Sequence, residues 1–448
     1  MKYSLEYIKE YLNILKPDEI KNLLLEISLQ DLIENWNTLT PEESIHIFKS
    51  LNLEMKVELI NSLTYKEQEM ILSELNVENI KQLLNEMEPD DIVDFIQSVS
   101  HEVRKSVWEN LSEEAKKETL FLLKFDEDDA AGLMTPRYIA IKPSITVAQA
   151  LKFVRKGAEE IETVYYFYVL DQLKRLIGVV SLRDILAAKD EQIISGIMET
   201  DVISVHEDTD QEEVAKTLET YSLLAVPVVD KNNVLLGIVT FDDVIEVIHE
   251  EQTEDVYKMV AMGGDPLPYL ESSVFDLVKR RIPWLTVLLI VGTITTNVLH
   301  HYEDIIIGAA FLFMFMPVIT QTGGNAGSQS TTLIIRGLAT EELYFKDIWK
   351  VLKKELMVGF IMGLGTGLVV FIRGILLPPG ISVYSAFAIS LSLCFVVLFS
   401  TTIGAIAPLV IHKTGHDPTV MSGPLMATVI DVFGLTIYFE LAKFMLNI

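Results

Sequence analysis

The sequence predicts a multi-domain protein: an all-α superhelical N-terminal domain, a tandem α/β pair, a helical linker and an α-helical membrane domain with five transmembrane helices. Three observations predict it. Residues 271–448 hold 11 Lys+Arg and 11 Asp+Glu, so the first 270 residues hold 25 and 53 and carry the whole net charge of -28. Five apolar segments, near 283–300, 304–335, 356–377, 386–411 and 418–446, are each long enough to span a bilayer. Within the acidic part, in its second half, one pattern of short strands and helices occurs twice.

Taken in order, residues 1 to about 125 read as short amphipathic helices that restart at Pro17, Pro41 and Pro89, each followed by acids. Proline at a first helical position lacks only an N–H that would be unpaired there, and acids favour the positive end of the helix dipole. Stacked helical hairpins are the expected result. Such an acidic body repels nucleic acid, so no nucleic-acid partner is expected; its carboxylates either remain a solvated surface or gather cations. The first residues, MKYSLEYIKEYLNILK, carry charges throughout and have no apolar core of a signal peptide. With Cys394 as the one cysteine, no disulfide framework exists within the chain, and a cytoplasmic location is expected for the first 270 residues.

From about 133 to 249 the chain repeats itself. Leu133-Met134-Thr135-Pro136 is echoed at Ile197-Met198-Glu199-Thr200, and the run from Leu176 to Asp184 is echoed from Leu235 to Asp243. Each copy has two β-branched runs followed by a helix, with a Ser/Thr-x-x-Asp ending, and resembles a CBS domain. That resemblance implies a regulatory pair whose cleft can hold ATP or another adenine nucleotide, with Ser181, Asp184, Thr240 and Asp243 on the ribose. A Ser/Thr and an Asp after a strand also simply cap the next helix.

An acidic helical run at 250–255, a break at 263–266 and a helix reaching Lys279-Arg280-Arg281 lead to the membrane. Basic residues precede the first span and fill the loops after the second and fourth, which by the positive-inside rule places the N-terminus inside and the C-terminus outside. The protein is therefore expected as a multi-pass protein of the cell membrane with the lipid bilayer as partner.

Two polar features stand in the membrane part. Thr320-Gln321-Thr322-Gly323-Gly324-Asn325-Ala326-Gly327-Ser328-Gln329-Ser330-Thr331-Thr332 is expected to interrupt the second span, either lining a wet cavity or serving as a small-residue packing face. The second feature is Asp431, in the middle of the last apolar stretch. An aspartate at a helix centre costs roughly 2.5–3.5 kcal/mol on insertion scales. Pro424, Ala427, Thr428, Asp431 and Gly434 share one helical face of small residues. One carboxylate is a poor cage for a divalent ion, but a twofold dimer would bring two together. Mg2+ keeps its waters and is commonly held by one or two carboxylates, so it suits this arrangement better than Ca2+. The bland use of Asp431 is a hydrogen bond locking two helices. His300 with His301, and His412 with His416 beside Asp417, lack third and fourth ligands and read as interfacial anchors. With no nucleophile elbow, phosphate-cradling loop or metal-hydrolase motif in the soluble part, the chain is not expected to be an enzyme.

The acidic helical domain, the CBS pair, the linker helix and five spans containing GGNAGSQS and ATVIDVFGL together resemble the MgtE family of magnesium channels. The order of parts matches along nearly the whole chain: 1–128 as N-domain, 129–192 and 193–249 as the CBS copies, 250–281 as linker or plug helix, and 282–448 as pore domain. The resemblance implies a homodimeric, Mg2+-selective channel with its pore between subunits. Asp431 would hold hydrated Mg2+, with Ala427, Gly324, Asn325 and Ser328 beside it. Ser328 and Gly423 stand where relatives often have asparagine, which leaves Asp431 as the firm ligand. The linker helix would act as a plug. Carboxylates that face one another repel while Mg2+ is scarce, and ions that bridge them favour a compact, closed state. The expected regulatory set is Asp90, Asp91, Asp94, Asp210, Glu212, Asp243, Glu246, Glu254 and Asp255. An ion-coupled carrier with Asp431 as proton carrier, and a CBS sensor that is merely anchored in the membrane, are the alternative functions.

Overall fold

The structure is a computed structural model. It describes residues 17–24, 27–157, 163–260, 272–377, 380–421 and 423–447, with Lys9, Met262 and Tyr269 besides; the expected break at 263–266 lies outside them. The chain forms two compact units, Met1–Ile248 and His249–Ile448.

Among the described residues the first unit begins with nine helices: α1 (Pro17–Leu24), α2 (Leu29–Glu34), α3 (Pro41–Ser50), α4 (Leu53–Asn61), α5 (Tyr65–Ser73), α6 (Val77–Glu86), α7 (Pro89–Ser98), α8 (His101–Asn110) and α9 (Glu113–Leu122). The three prolines open α1, α3 and α7, as expected. At α3 the cap is reciprocal. The Glu43 amide donates to Thr40 Oγ1 at 3.4 Å and the Thr40 amide to Glu43 Oε2 at 2.7 Å, so two otherwise unpaired N–H groups are satisfied. Helices pack on the helix two along: α1 on α3, α2 on α4, α3 on α5, α4 on α6 and α6 on α8. Leu32, Ile47, Phe48 and Leu59 are fully buried between them.

The tandem repeat forms two three-stranded sheets. The first holds β1 (Ile139–Ile141), β2 (Tyr166–Leu170) and β3 (Leu176–Ser181), with α10 (Val147–Gly157) between β1 and β2 and α11 (Leu182–Ala187) after β3. The second holds β4 (Val205–His206), β5 (Ala225–Val229) and β6 (Leu235–Thr240), with α12 (Gln211–Tyr221) and α13 (Phe241–Met259) in the same places. In each sheet the first pair is parallel and the second antiparallel, with a register shift at the same point. The echoed Met motifs cross over. Thr135 bridges Ile238 of the second sheet while Glu199 bridges Val179 of the first. A Cβ on Gly237 would lie 2.7 Å from Met134 Sδ, and one on Gly178 would lie 2.8 Å from Met198 Sδ, so both glycines are required for the approach. The acidic run at 250–255 is the second half of α13, not a separate helix.

In the second unit, helices α14 (Val274–His301), α15 (Glu303–Gly308), α16 (Phe311–Ala339), α17 (Ile348–Leu376), α18 (Val383–Lys413) and α19 (Gly423–Leu446) follow. Four of the long helices are apolar enough to cross a membrane; α16 is excluded by its polar stretch. Two expectations are corrected. The second segment starts at Phe311, after the separate short helix α15. It is also not interrupted: residues 320–332 continue α16 without a break. A continuous helix pairs its backbone through residues 320–332 within itself, which is the less costly solution in hydrocarbon. The glycines instead serve packing. A Cβ on Gly323 would meet Val396 Cγ1 at 2.8 Å, one on Gly327 would run into the Ile430 side chain, and one on Gly404 into the backbone of Gly327. Gly359, Gly363 and Gly367, one turn apart, do the same for α17 against α18, where Ser390 Oγ donates to the Gly367 carbonyl at 2.7 Å.

Candidate ion-binding sites

Helices α16 and α19 run antiparallel along a seam of small side chains. Gly324 faces Ala427, with 3.9 Å from a Cβ built there to the alanine Cβ, and a Cβ on Gly423 would lie 4.0 Å from Ser328 Oγ. Ser328 and Gly423 are thus neighbours. Asp431 lies one turn beyond Ala427 and is half-buried; Asn325 is exposed on this single chain. Thr428 spends its hydroxyl on the Pro424 carbonyl at 3.0 Å, so it is occupied within α19. Among the described residues no three His, Cys, Asp or Glu side chains gather closely enough to hold a metal ion.

The bundle holds two further carboxylates that sequence reading missed. Glu355 of α17 is 9% exposed and accepts from Ser330 Oγ of α16 at 2.7 Å. Next to it Thr331 Oγ1 donates to the Gly404 carbonyl at 2.9 Å. The polar stretch is therefore pinned to both α17 and α18. Glu440 of α19 accepts from the Tyr302 hydroxyl at 2.8 Å. The signal for Glu355 was present: the third apolar run begins immediately after it, so its helix carries it into the bundle. Glu440 stands inside the last apolar stretch itself.

In the first unit, the start of α7 meets the start of α13. Burial raises the pKa of Asp91, and the charge of Glu246 adds to this against a 2.5 Å hydrogen bond from Asn61 Nδ2. Burial likewise pushes Asp243 up to about 6, with repulsion from Asp242 and Asp91, while Thr240 Oγ1 donates to it at 2.5 Å and opposes the shift. Glu88 is also raised by burial and by Asp91 and Glu118, although Arg137 bridges Glu88 and Glu118 at 3.1 and 3.2 Å. Raised carboxylates that feel one another's charge are a place where a cation is favoured. Asp90 is half-buried and Asp94 exposed on the same helix.

The remaining acids of the expected regulatory set lie elsewhere. Asp210 caps α12 through the Glu212 amide at 2.9 Å and lies against Asp129, whose pKa is raised by burial and by Asp126, Asp208 and Asp210. Glu254 is bound to Lys258 at 2.9 Å, and Lys258 reaches Asp417 of the loop between α18 and α19 at 3.1 Å. Burial works against the Lys258 charge, but its two carboxylates outweigh it and hold the ammonium above the ordinary lysine range. Asp255 follows on α13, half-buried. At the CBS endings, Ser181 Oγ caps α11 through the Asp184 amide at 3.1 Å and donates to the Asp184 carboxylate at 2.5 Å, the same pairing as Thr240 with Asp243.

Comparison with known proteins bears on these features. Residues 316–441 match a family described as divalent cation transporter, 27–128 match the MgtE intracellular N domain, and 130–191 and 194–250 each match the CBS domain. With the helical membrane body, these matches define a class: a divalent cation transporter with a CBS-bearing soluble part. The magnesium transporter MgtE of Thermus thermophilus is 38% identical over 367 residues, covering 80% of each chain, and that of Bacillus subtilis is 34% identical, covering 80% of this chain and 78% of its own. This chain belongs to the MgtE family. The crystal structure of the cytosolic domain of the Mg2+ channel MgtE in complex with ATP superposes with a TM-score of 0.52 at 36% identity, covering 54% of this chain and 98% of that one. The soluble part of a magnesium transporter gives 0.50 at 32%, covering 55% and 97%.

Proposed function

We propose that this chain transports Mg2+ across the cell membrane as a homodimer, through a path along the seam of α16 and α19, and that cytoplasmic Mg2+ closes it. The observation that carries the reading is Asp431: half-buried on a small-residue face, one turn from Ala427 and, among the described residues, in no group of three or more His, Cys, Asp or Glu side chains. Two copies facing each other about a twofold axis would supply two carboxylates, which suits an ion that retains its waters. Gly324, Asn325 and Ser328 would line the same path from α16. Asn325 is exposed where a second copy would approach.

Closure rests on the carboxylates of the first unit and of α13. Asp91, Asp243 and Glu246 repel at neutral pH, and a bridging divalent ion relieves that repulsion. Asp90, Asp94, Asp210, Glu212, Glu254 and Asp255 would join them as the domains approach. Ser181 with Asp184 and Thr240 with Asp243 would hold the ribose of an adenine nucleotide, a reading supported by the ATP complex of the relative. The N-terminus lies in the cytoplasm and the C-terminus outside.

The test is Mg2+ influx into liposomes that contain the full chain. Asp431→Ala should abolish influx while the dimer stays folded, and wild-type influx should be independent of imposed proton or sodium gradients. Unchanged influx in the variant refutes the path. Influx that requires a proton gradient replaces the channel with a coupled carrier.

A further inference from the structure

The acidic N-terminal part holds one feature of opposite sign. Lys21 on α1, Lys49 on α3 and Lys56 on α4 converge on a groove of about 640 Å3, with His46 one turn before Lys49. Among the described residues none of these three lysines has an ion-pair partner, although the first 270 residues hold 53 acids. Two acids, Glu42 and Glu74, also line the groove. The five charged groups sum to +1, and protonation of His46 raises this to +2. Lys56 is half-buried, and its ammonium is lowered from the usual lysine range first by that burial and then by the charge of Lys21. Cations held this close, one of them partly desolvated, are stable together only at a cost that an anion would remove. Among the described residues the lining has no Phe, Tyr or Trp, which leaves His46 as its one ring. Lysine ammoniums act as point charges toward phosphate oxygens, and the volume falls in the range of small-molecule sites.

We propose that this groove binds a small, multiply charged phosphate through Lys21, Lys49 and Lys56, with His46 at its edge. The site is separate from the CBS endings and does not depend on the transport reading. The rim carboxylates, Glu42 and Glu74, disfavour an extended acidic surface and leave room for a compact anion.

The test is calorimetric titration of the full-length protein with inorganic pyrophosphate in EDTA at pH 8.5. Saturable binding is expected. Lys21→Ala together with Lys56→Ala should weaken binding at least tenfold, with an unchanged circular dichroism spectrum. Binding should persist in a Ser181→Ala, Thr240→Ala background. Absence of binding up to millimolar pyrophosphate, equal binding by the lysine variant, or loss of binding in the Ser181/Thr240 background overturns the proposal. Repeating the titration in neutral and in phosphatidylglycerol-containing nanodiscs identifies the source. Competition by the anionic lipid assigns the phosphate to a headgroup, and unaltered affinity assigns it to a soluble compound; either result retains the site.

Discussion

Asp243→Asn isolates the repulsion at the junction of α7 and α13. The carboxyl is pushed from 3.8 to about 6 in the folded chain. A raised acid contributes stability that is fully present below the unfolded pKa and lost as pH rises through the folded one. For Asp243 that stability is present below about 3.8 and gone above about 6. The shift of roughly two units corresponds to about 3 kcal/mol at neutral pH. Asparagine keeps an oxygen to accept from Thr240 Oγ1 and removes the charge that faces Asp91. In EDTA at pH 7.5 the variant should therefore resist urea more than the wild type, by up to about 3 kcal/mol. It should gain less from added Mg2+, since the repulsion that the ion relieves is already smaller. The assay is equilibrium urea unfolding of residues 1–260, with and without Mg2+, repeated between pH 4 and 8. At pH 4, where the wild-type carboxyl is protonated, the difference should shrink toward zero. A variant that is less stable in EDTA, or an advantage that does not change with pH, refutes the reasoning.

Three further predictions follow from the membrane unit. Gly363→Leu should destabilise the detergent-solubilised protein by about 1–3 kcal/mol or more in thermal unfolding, because a Cβ there already lies 2.8 Å from the Cys394 carbonyl, which cannot move aside. Glu355→Ala leaves the buried Ser330 hydroxyl without its acceptor and should cost about 1–3 kcal/mol, whereas Glu355→Gln should restore most of the thermal stability and the Mg2+ influx. Lys258→Met severs the contact of α13 with Asp417 and should raise the cytoplasmic Mg2+ needed for half-closure in patch recordings; an unchanged value would remove that ion pair from gating.

Much of this architecture is legible in the residues. Proline followed by acids marks α1, α3 and α7, since capping is a local effect that needs no tertiary partner. The repeat is legible because both copies carry similar short apolar runs in the same order, and these pair in the same sheet order. The polar stretch at 320–332 was the point at which local reading failed. Glycine, serine and threonine weaken an isolated helix, so the stretch reads as a break. In the bundle, Gly323 and Gly327 let α18 and α19 come close, and Ser330 and Thr331 find acceptors on α17 and α18. Those contacts lie 25 and 73 residues away and leave no local trace. Glu355 stands directly before the third apolar run, which marks it for the bundle, but its partner hydroxyl belongs to another helix and leaves no local trace.

The amino-acid order by itself determined which segments face water and which face lipid, because transfer free energies add along the chain and need no partner. It also determined that one acid, Asp431, sits on a face of small residues, because helical periodicity is fixed by the backbone. Only the tertiary structure decided which charges meet. Asp91 and Asp243 are 152 positions apart, and the energy of their repulsion depends on a few ångströms of separation and on the water excluded around them.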